Sequence, residues 1–270
     1  MLATVLSLKG FKKTLPNIPA RLRIIIATAV MFVGMAISTF FPFGGAWLWF
    51  LIILSVCAYM TTYIAVYEGI DGVEWYVLFI MPILLTLGLY LFYFLLPVRW
   101  LTRLPFLVIF AAGYYALLLI SNIFNVGVEK SIQLYRAAFS INVLLQTIVI
   151  FLWSIVIFSF RFNFLVTALI MSSIAVLVSI QLLWTVHLNQ HMESKLVRYA
   201  VIQGILLFEL CILLTFIPFK LNIVALIFTA GYYSSMSILY HYSGERLFQN
   251  VVRENSLVFI FVFIVALFTL

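Results

Sequence analysis

Residues 109–115 of this chain read Ile-Phe-Ala-Ala-Gly-Tyr-Tyr, and residues 227–233 read Ile-Phe-Thr-Ala-Gly-Tyr-Tyr. The two segments begin 118 residues apart, and each lies inside a long apolar stretch. Related polar segments follow in the same order, with Glu-Lys-Ser-Ile-Gln at 129–133 and Glu-Arg-Leu-Phe-Gln at 245–249. Two matched motifs in one order indicate an internal duplication of the chain.

The composition around these motifs identifies lipid as the solvent. The chain has 270 residues, of which 66% are hydrophobic and 9% are charged, whereas a soluble domain carries about a quarter charged residues. A membrane-spanning helix needs roughly 20 mostly apolar residues. Segments of this kind lie at about 22–41, 46–67, 75–96, 104–126, 137–160, 162–186, 197–217, 221–242 and 253–270. They do not alternate apolar and polar residues as barrel strands do, so they predict helices.

The sequence therefore predicts an all-α, polytopic transmembrane helix bundle of about nine spans, forming a single membrane domain over residues 1–270. Because segment 253–270 starts beside charged residues, eight spans with a partial last helix is the alternative. An offset of 118 residues covers four spans, an even number, so both copies point the same way as parallel repeats. The predicted parts are a basic tail at 1–21, repeat one at 22–138, repeat two at 139–252 and a final span at 253–270.

The net charge of +7 is explained by membrane topology. With the N-terminus in the cytoplasm, eleven of the fifteen Lys and Arg residues lie inside, five of them within the first 23 residues. This bias follows the positive-inside rule. We expect an integral protein of a bacterial cytoplasmic membrane whose partners are the lipid bilayer and either other membrane proteins or further copies of the chain. We expect no nucleic-acid partner.

Glu209 is the most unusual residue, because it lies near the middle of the seventh span between Phe208 and Leu210. A charged side chain at the bilayer centre costs about 3 kcal/mol on insertion scales. A carboxyl is tolerated there when it is protonated, paired or inside a wet cavity. One interpretation is a proton-coupling site. The other is a protonated carboxyl that is hydrogen-bonded to a neighbouring helix, for example through Gln146, Gln181 or a tyrosine.

Two spans carry polar stripes at helical spacing. The stripes consist of Tyr115 and Asn122 in the fourth span, and of Tyr233, Ser237, Tyr240 and His241 in the eighth. Because polar faces are costly against lipid, we expect both stripes to point into the bundle. One interpretation is a central cleft between the two halves. The other is hydrogen bonding between helices beside close contacts at Gly113 and Gly231.

Charged residues follow each copy of the tyrosine motif. The candidate pairs at the cytoplasmic face are formed by Glu129, Lys130, Arg136, Glu245, Arg246 and Arg253. The spacing predicts that Glu245, Gln249 and Arg253 share one face of a helix. These segments could gate a path, bind anionic lipid head groups or form interfacial helices with intrahelical ion pairs.

Several chemical functions lack their motifs. The chain has no Gly-x-Ser-x-Gly elbow, no phosphate-binding loop and no Cys-x-x-Cys pair. His187 and His191 have the spacing of two zinc ligands, but the sequence offers no evident third ligand. We therefore expect no catalytic site, no cofactor and no bound metal.

Two hypotheses for function remain. The first is a permease-like protein that moves a small or lipid-like solute through a cleft between the two repeats, near Glu209 and the polar stripes. The alternative is a non-catalytic membrane subunit or scaffold of an envelope complex. The shortage of charge within the spans favours the alternative, and the parallel repeats favour the first.

The predicted topology is tested by cysteine labelling. Because four spans separate the copies, Lys130→Cys and Arg246→Cys should both react with a membrane-impermeant maleimide from the cytoplasmic side only. Labelling from opposite sides of the membrane would contradict parallel repeats.

Overall fold

A computed structural model describes residues 19–41, 44–45, 47–67, 76–97, 100–126, 132–186 and 193–268. These residues form helices α1 (Ala20–Ser38), α2 (Trp47–Val66), α3 (Tyr76–Tyr93), α4 (Trp100–Val126), α5 (Ile132–Ser159), α6 (Phe164–Trp184), α7 (Ser194–Thr215), α8 (Leu221–Ser243) and α9 (Gln249–Leu267). The described part of the chain contains no strand. The all-α prediction is confirmed, and each predicted span coincides with one helix whose ends differ by five residues or fewer.

Each of these helices is long and apolar enough to cross a membrane, so the protein is a multi-pass integral membrane protein. Their outward faces are strongly apolar. Trp49, Leu101, Leu213 and Phe261, for example, expose more than half of their surface. Such a surface is stable only against hydrocarbon, so the helices require a lipid bilayer around them.

α8 ends in a Schellman motif. The backbone N–H of Arg246 donates to the carbonyl of His241 at 2.9 Å, and that of Glu245 donates to the carbonyl of Tyr242 at 3.2 Å. Glu245 has a φ of 55°, in the left-handed region. A left-handed residue at this position satisfies the last carbonyls of a helix and stops its continuation.

This ending corrects one sequence-based prediction. Glu245, Gln249 and Arg253 do not share a helical face, because Glu245 lies in the connection between α8 and α9. Only Gln249 and Arg253 are helical, in the first two turns of α9.

The helices pack in two groups with the same pattern of neighbours. In the first group α1 packs on α2 and α4, α2 packs on α3 and α4, α3 packs on α4, and α4 packs on α5. In the second group α5 packs on α6 and α8, α6 packs on α7 and α8, α7 packs on α8, and α8 packs on α9. α3 also packs on α5 and α6 and so joins the groups. The internal duplication itself stays a prediction.

α3 lies at the centre of the bundle and is the most buried of these helices. Trp153 of α5 donates its indole N–H to the carbonyl of Leu84 at 3.0 Å. Gly88, one turn further along α3, admits the indole, since a methyl group there would lie 3.0 Å from Trp153 Nε1. Pro82 lies inside α3, and Thr86 donates to its carbonyl at 2.8 Å. The contact between α3 and α5 thus includes a close approach of one aromatic ring to a glycine.

α6 and α7 approach each other closely at Gly204. A methyl group at Gly204 would lie 2.3 Å from Val176 Cγ2, a stiff β-branched side chain, and 3.5 Å from the carbonyl of Ser172. We expect Gly204→Ala to lower the free energy of unfolding by about 1–3 kcal/mol through overpacking. Thermal unfolding of the purified protein in detergent measures this change.

Gly34→Ala is the matched control. A methyl group at Gly34 would lie at an ordinary distance of 3.7 Å from Leu54 Cδ2, and alanine has a helix propensity about 1 kcal/mol better than glycine. The control should therefore leave the unfolding temperature unchanged or raise it. An equal rise for both variants would contradict the close contact at Gly204.

Candidate functional site

The polar stripe of α8 lines a groove between α5 and α8, with one side chain from α6. This α5–α8 groove has a volume of about 300 Å³, at the small end of ligand pockets. It contains all four residues that the sequence indicated in the eighth span, namely Tyr233, Ser237, Tyr240 and His241. Their spacing places them on one face of α8 over about 12 Å of helix length.

The walls of the α5–α8 groove are mainly apolar. Val143 of α5, Leu182 of α6 and Met236 of α8 form much of the lining. Ser140 is exposed and Tyr233 is 37% exposed, so the mouth of the groove lies at the surface of the bundle. The groove thus opens sideways, with polar side chains both on α8 and, at Ser140, Gln146 and Thr147, on α5.

His241 has a defined tautomer at one end of the groove. Its Nδ1 lies 2.8 Å from the carbonyl of Ser237. A carbonyl oxygen only accepts hydrogen bonds, so Nδ1 carries the proton that makes this contact. The other ring nitrogen, Nε2, remains available to a ligand in the groove.

A cluster of three buried amides lies behind the groove and was missed by the sequence analysis as a unit. This amide cluster consists of Asn142 and Gln146 of α5 and Gln181 of α6, all buried. Gln181 Oε1 accepts from Asn142 Nδ2 at 3.1 Å and also from Gln146 Nε2. Tyr232 of α8 donates to Gln146 Oε1 at 3.3 Å. Because Gln146 also lines the groove, the cluster connects the groove to the core.

One signal in the sequence could have revealed the cluster. Asn142 and Gln146 stand one helical turn apart in an apolar span, and two amides on one face indicate a buried contact with a neighbouring helix. The sequence analysis considered Gln146 and Gln181 only as partners of Glu209. In the structure these two amides bond to each other.

The polar stripe of α4 does not join that of α8. Tyr115 and Asn122 are half-buried, and α4 packs on α1, α2, α3 and α5. The neighbouring residue Tyr114 bonds to another helix, with its hydroxyl 2.7 Å from that of Thr61 in α2. Asn125 donates to the carbonyl of Val66 at 2.8 Å. The α4 stripe therefore lies beside contacts that hold α2 to α4.

The first tyrosine of each Gly-Tyr-Tyr motif is the one that holds two helices together. Tyr114 and Tyr232 are both buried and hydrogen-bonded to another helix. The second tyrosines, Tyr115 and Tyr233, are partly exposed. The sequence analysis selected the second tyrosines, because spacing alone does not say which of two adjacent aromatic residues faces a neighbouring helix.

Glu209 lies outside the α5–α8 groove. It is exposed on the outer face of α7, six residues and about 9 Å before the end of that helix. Within the described chain, no hydrogen bond or ion pair reaches its carboxyl group. The structure thus separates Glu209 from the polar residues of α4 and α8.

The charged candidates gather at the end of the bundle where α5 begins and α8 ends. Arg136, Glu245, Arg246 and Arg253 are exposed there, at the same end as His241. Glu129 and Lys130 lie outside the described residues, as do the pair His187 and His191 and residues 1–18 of the basic tail.

Comparison with protein-family models, with curated proteins and with solved structures found no match to the chain.

The amide cluster gives a stability prediction. Gln181→Met keeps the approximate volume but leaves the side-chain N–H groups of Asn142 and Gln146 without their shared acceptor. We expect the free energy of unfolding to fall by about 1–2 kcal/mol, the range for hydrogen bonds between membrane helices in model peptides. Thermal unfolding in detergent measures it. Gln133→Met, at an exposed site in the first turn of α5, is the control, and an equal effect of both changes would contradict the role of the cluster.

Proposed function

We propose that the protein is a permease-like membrane protein that binds and moves a lipid-like solute through the α5–α8 groove. The observation that carries this proposal is a groove that opens sideways, with the buried apolar side chains of Leu182 and Met236 at its floor and His241 at one end. An amphiphile has the same division, with an apolar chain and a polar head.

Burial along the groove supports an elongated ligand. Leu182 and Met236 are buried at its floor, whereas Ser140 and Tyr233 are exposed at its mouth. A chain from the surrounding bilayer would enter through this mouth without crossing water. The polar side chain of Ser237 lies between floor and mouth and offers a hydroxyl to an ester or amide group of the ligand.

The charges near the groove favour an anionic head group. Arg136 lies in the second turn of α5 and Arg246 follows the end of α8, so both lie at the His241 end of the groove. Basic side chains at the membrane surface attract anionic lipid head groups by about 1 kcal/mol each. A lipid with a phosphate head would therefore place its phosphate toward these arginines.

The proposal includes an internal duplication of the chain and a cytoplasmic N-terminus. The matching neighbours of α1–α4 and α5–α8 support two parallel repeats. The positive-inside rule favours a cytoplasmic N-terminus in a bacterial cytoplasmic membrane, which puts the His241 end of the groove on the cytoplasmic side. The groove lies within repeat two, whereas the sequence-based hypothesis expected a cleft between the repeats.

A second candidate function is that of a non-catalytic membrane subunit. The observation that favours it is α9, which packs mainly on α8 and is the least buried of the described helices. A subunit of an envelope complex would cover such a helix with another protein.

The groove is tested with a photoactivatable anionic phospholipid in liposomes that contain the purified protein. Ser237→Phe fills the middle of the α5–α8 groove, so cross-linking to α5 and α8 should fall about tenfold, which corresponds to 1.4 kcal/mol of binding. Transfer of a fluorescent phospholipid between leaflets should fall in parallel.

Ser173→Phe is the matched control, since Ser173 is exposed on α6 and bonds only to the carbonyl of Leu169 in its own helix. Cross-linking that Ser237→Phe leaves unchanged would contradict binding in the groove. Transport of phospholipid would be contradicted if liposomes with the wild-type protein exchanged phospholipid between leaflets no faster than protein-free liposomes. This holds even if Ser237→Phe lowers the cross-linking.

A further inference from the structure

Glu209 marks a second site on the other side of the bundle. Its neighbours one turn away on the outer face of α7, Ile205 and Leu213, are 55% and 62% exposed. The carboxyl therefore projects from an apolar surface that lipid tails would cover. Hydrocarbon offers a carboxyl no hydrogen-bond partner, so ionisable residues in spans normally face protein or water. A polar partner within the membrane would stabilise a carboxyl on such a face.

In the first helix group, α3 holds the place that α7 holds in the second. Two glycine contacts show which residues of α3 and α7 correspond. A methyl group at Gly113 of α4 would lie 3.5 Å from Leu85 Cδ2 of α3. A methyl group at Gly231 of α8, the matching residue of the tyrosine motif, would lie 2.5 Å from Leu210 Cδ2 of α7. Leu85 and Leu210 therefore occupy corresponding positions in the two groups.

In this register Glu209 corresponds to Leu84. The carbonyl of Leu84 accepts the indole N–H of Trp153, and Gly88 lies against the same indole. α5 thus covers this face of α3, whereas α7 packs on α6 and α8 and leaves its face open within the described chain. This comparison rests on the proposed duplication, but the exposure of Glu209 does not.

A groove lies beside the exposed face of α7. This α7–α9 groove has a volume of about 440 Å³ and runs over α8, with Leu206 of α7 and Phe259 of α9 as its walls. Its floor is made of small residues, Gly231, Ser234 and Ser235. The buried hydroxyl of Ser234 finds no acceptor or donor in the described chain. Small residues let helix backbones approach closely, and free hydroxyls bond across such contacts.

We propose that the outer face of α7 and the α7–α9 groove bind a transmembrane helix of another protein, one with a Lys or Arg side chain in its span that pairs with Glu209. Charge selects this partner over a second copy of the chain. Every exposed or half-exposed Lys and Arg of the described residues lies in a connection or within the first five residues of a helix. The described residues of a second copy would therefore offer Glu209 no cation at the same depth.

The test uses a defined probe, a Leu-Ala transmembrane peptide with one central Lys, and the same peptide with Leu in its place. The purified protein carries a photo-cross-linking amino acid at Leu213, one turn from Glu209, and is reconstituted with each peptide in liposomes. We expect the Lys peptide to cross-link at least about tenfold better than the Leu peptide, because only the former pairs with the carboxyl. Glu209→Leu should remove this preference.

Glu254→Leu is the matched control, since Glu254 is an exposed carboxylate near the start of α9, and it should leave the preference intact. Glu209→Leu should also leave the thermal stability and the lipid cross-linking in the α5–α8 groove unchanged, which separates this surface from the proposed permease site. Equal cross-linking of both peptides, or a cross-link to a second copy as the main product, would overturn the proposal.

Discussion

Hydrocarbon forms no hydrogen bonds, and this constraint governs every part of the structure. A backbone in lipid must satisfy its N–H and C=O groups within its own segment, so each long apolar segment becomes a helix. The same constraint decides where polar side chains lie. Most serines and threonines of the spans bond to carbonyls one turn back in their own helix, as Thr28 does to Ile24 and Thr229 does to Ala225.

Longer polar side chains cannot be satisfied in this way and therefore join helices. Asn142, Gln146 and Gln181 bond to one another between α5 and α6, and Tyr232 adds α8 to the group. Gln203 extends the polar contacts to α7 through the hydroxyl of Ser235, at 2.7 Å. The second helix group thus contains a cluster of amides, whereas α2 and α4 of the first are joined by the contact of Tyr114 with Thr61 and by the single amide of Asn125.

α8 places two surfaces on opposite sides of the same helix group. On one side, Ser237 and His241 line the α5–α8 groove, where we propose that a lipid-like solute binds. On the other, Gly231 and Ser234 form the floor of the α7–α9 groove, where we propose that a partner helix docks. Both proposed sites are therefore built in part from residues of α8.

The sequence by itself determined the class of the protein and the positions of its helices, because hydrophobicity over about 20 residues is a local property. It also identified the polar stripe of α8, since helical spacing puts Ser237 and His241 on one face. The ends of several predicted spans differ from the helix ends by a few residues. The fifth span, for example, is predicted to begin at about 137, but α5 begins at Ile132, because polar residues such as Arg136 continue the helix into the membrane surface.

Only the tertiary structure decided which polar faces meet. The sequence grouped Glu209 with Tyr233 as parts of one central site, but the packing of α7 turns Glu209 outward while Tyr233 borders the groove. The physical reason is that burial depends on which neighbours a helix has around its circumference. In this bundle, contacts such as Gly204 against Val176 set the rotation of each helix, and no local pattern in the chain encodes that rotation.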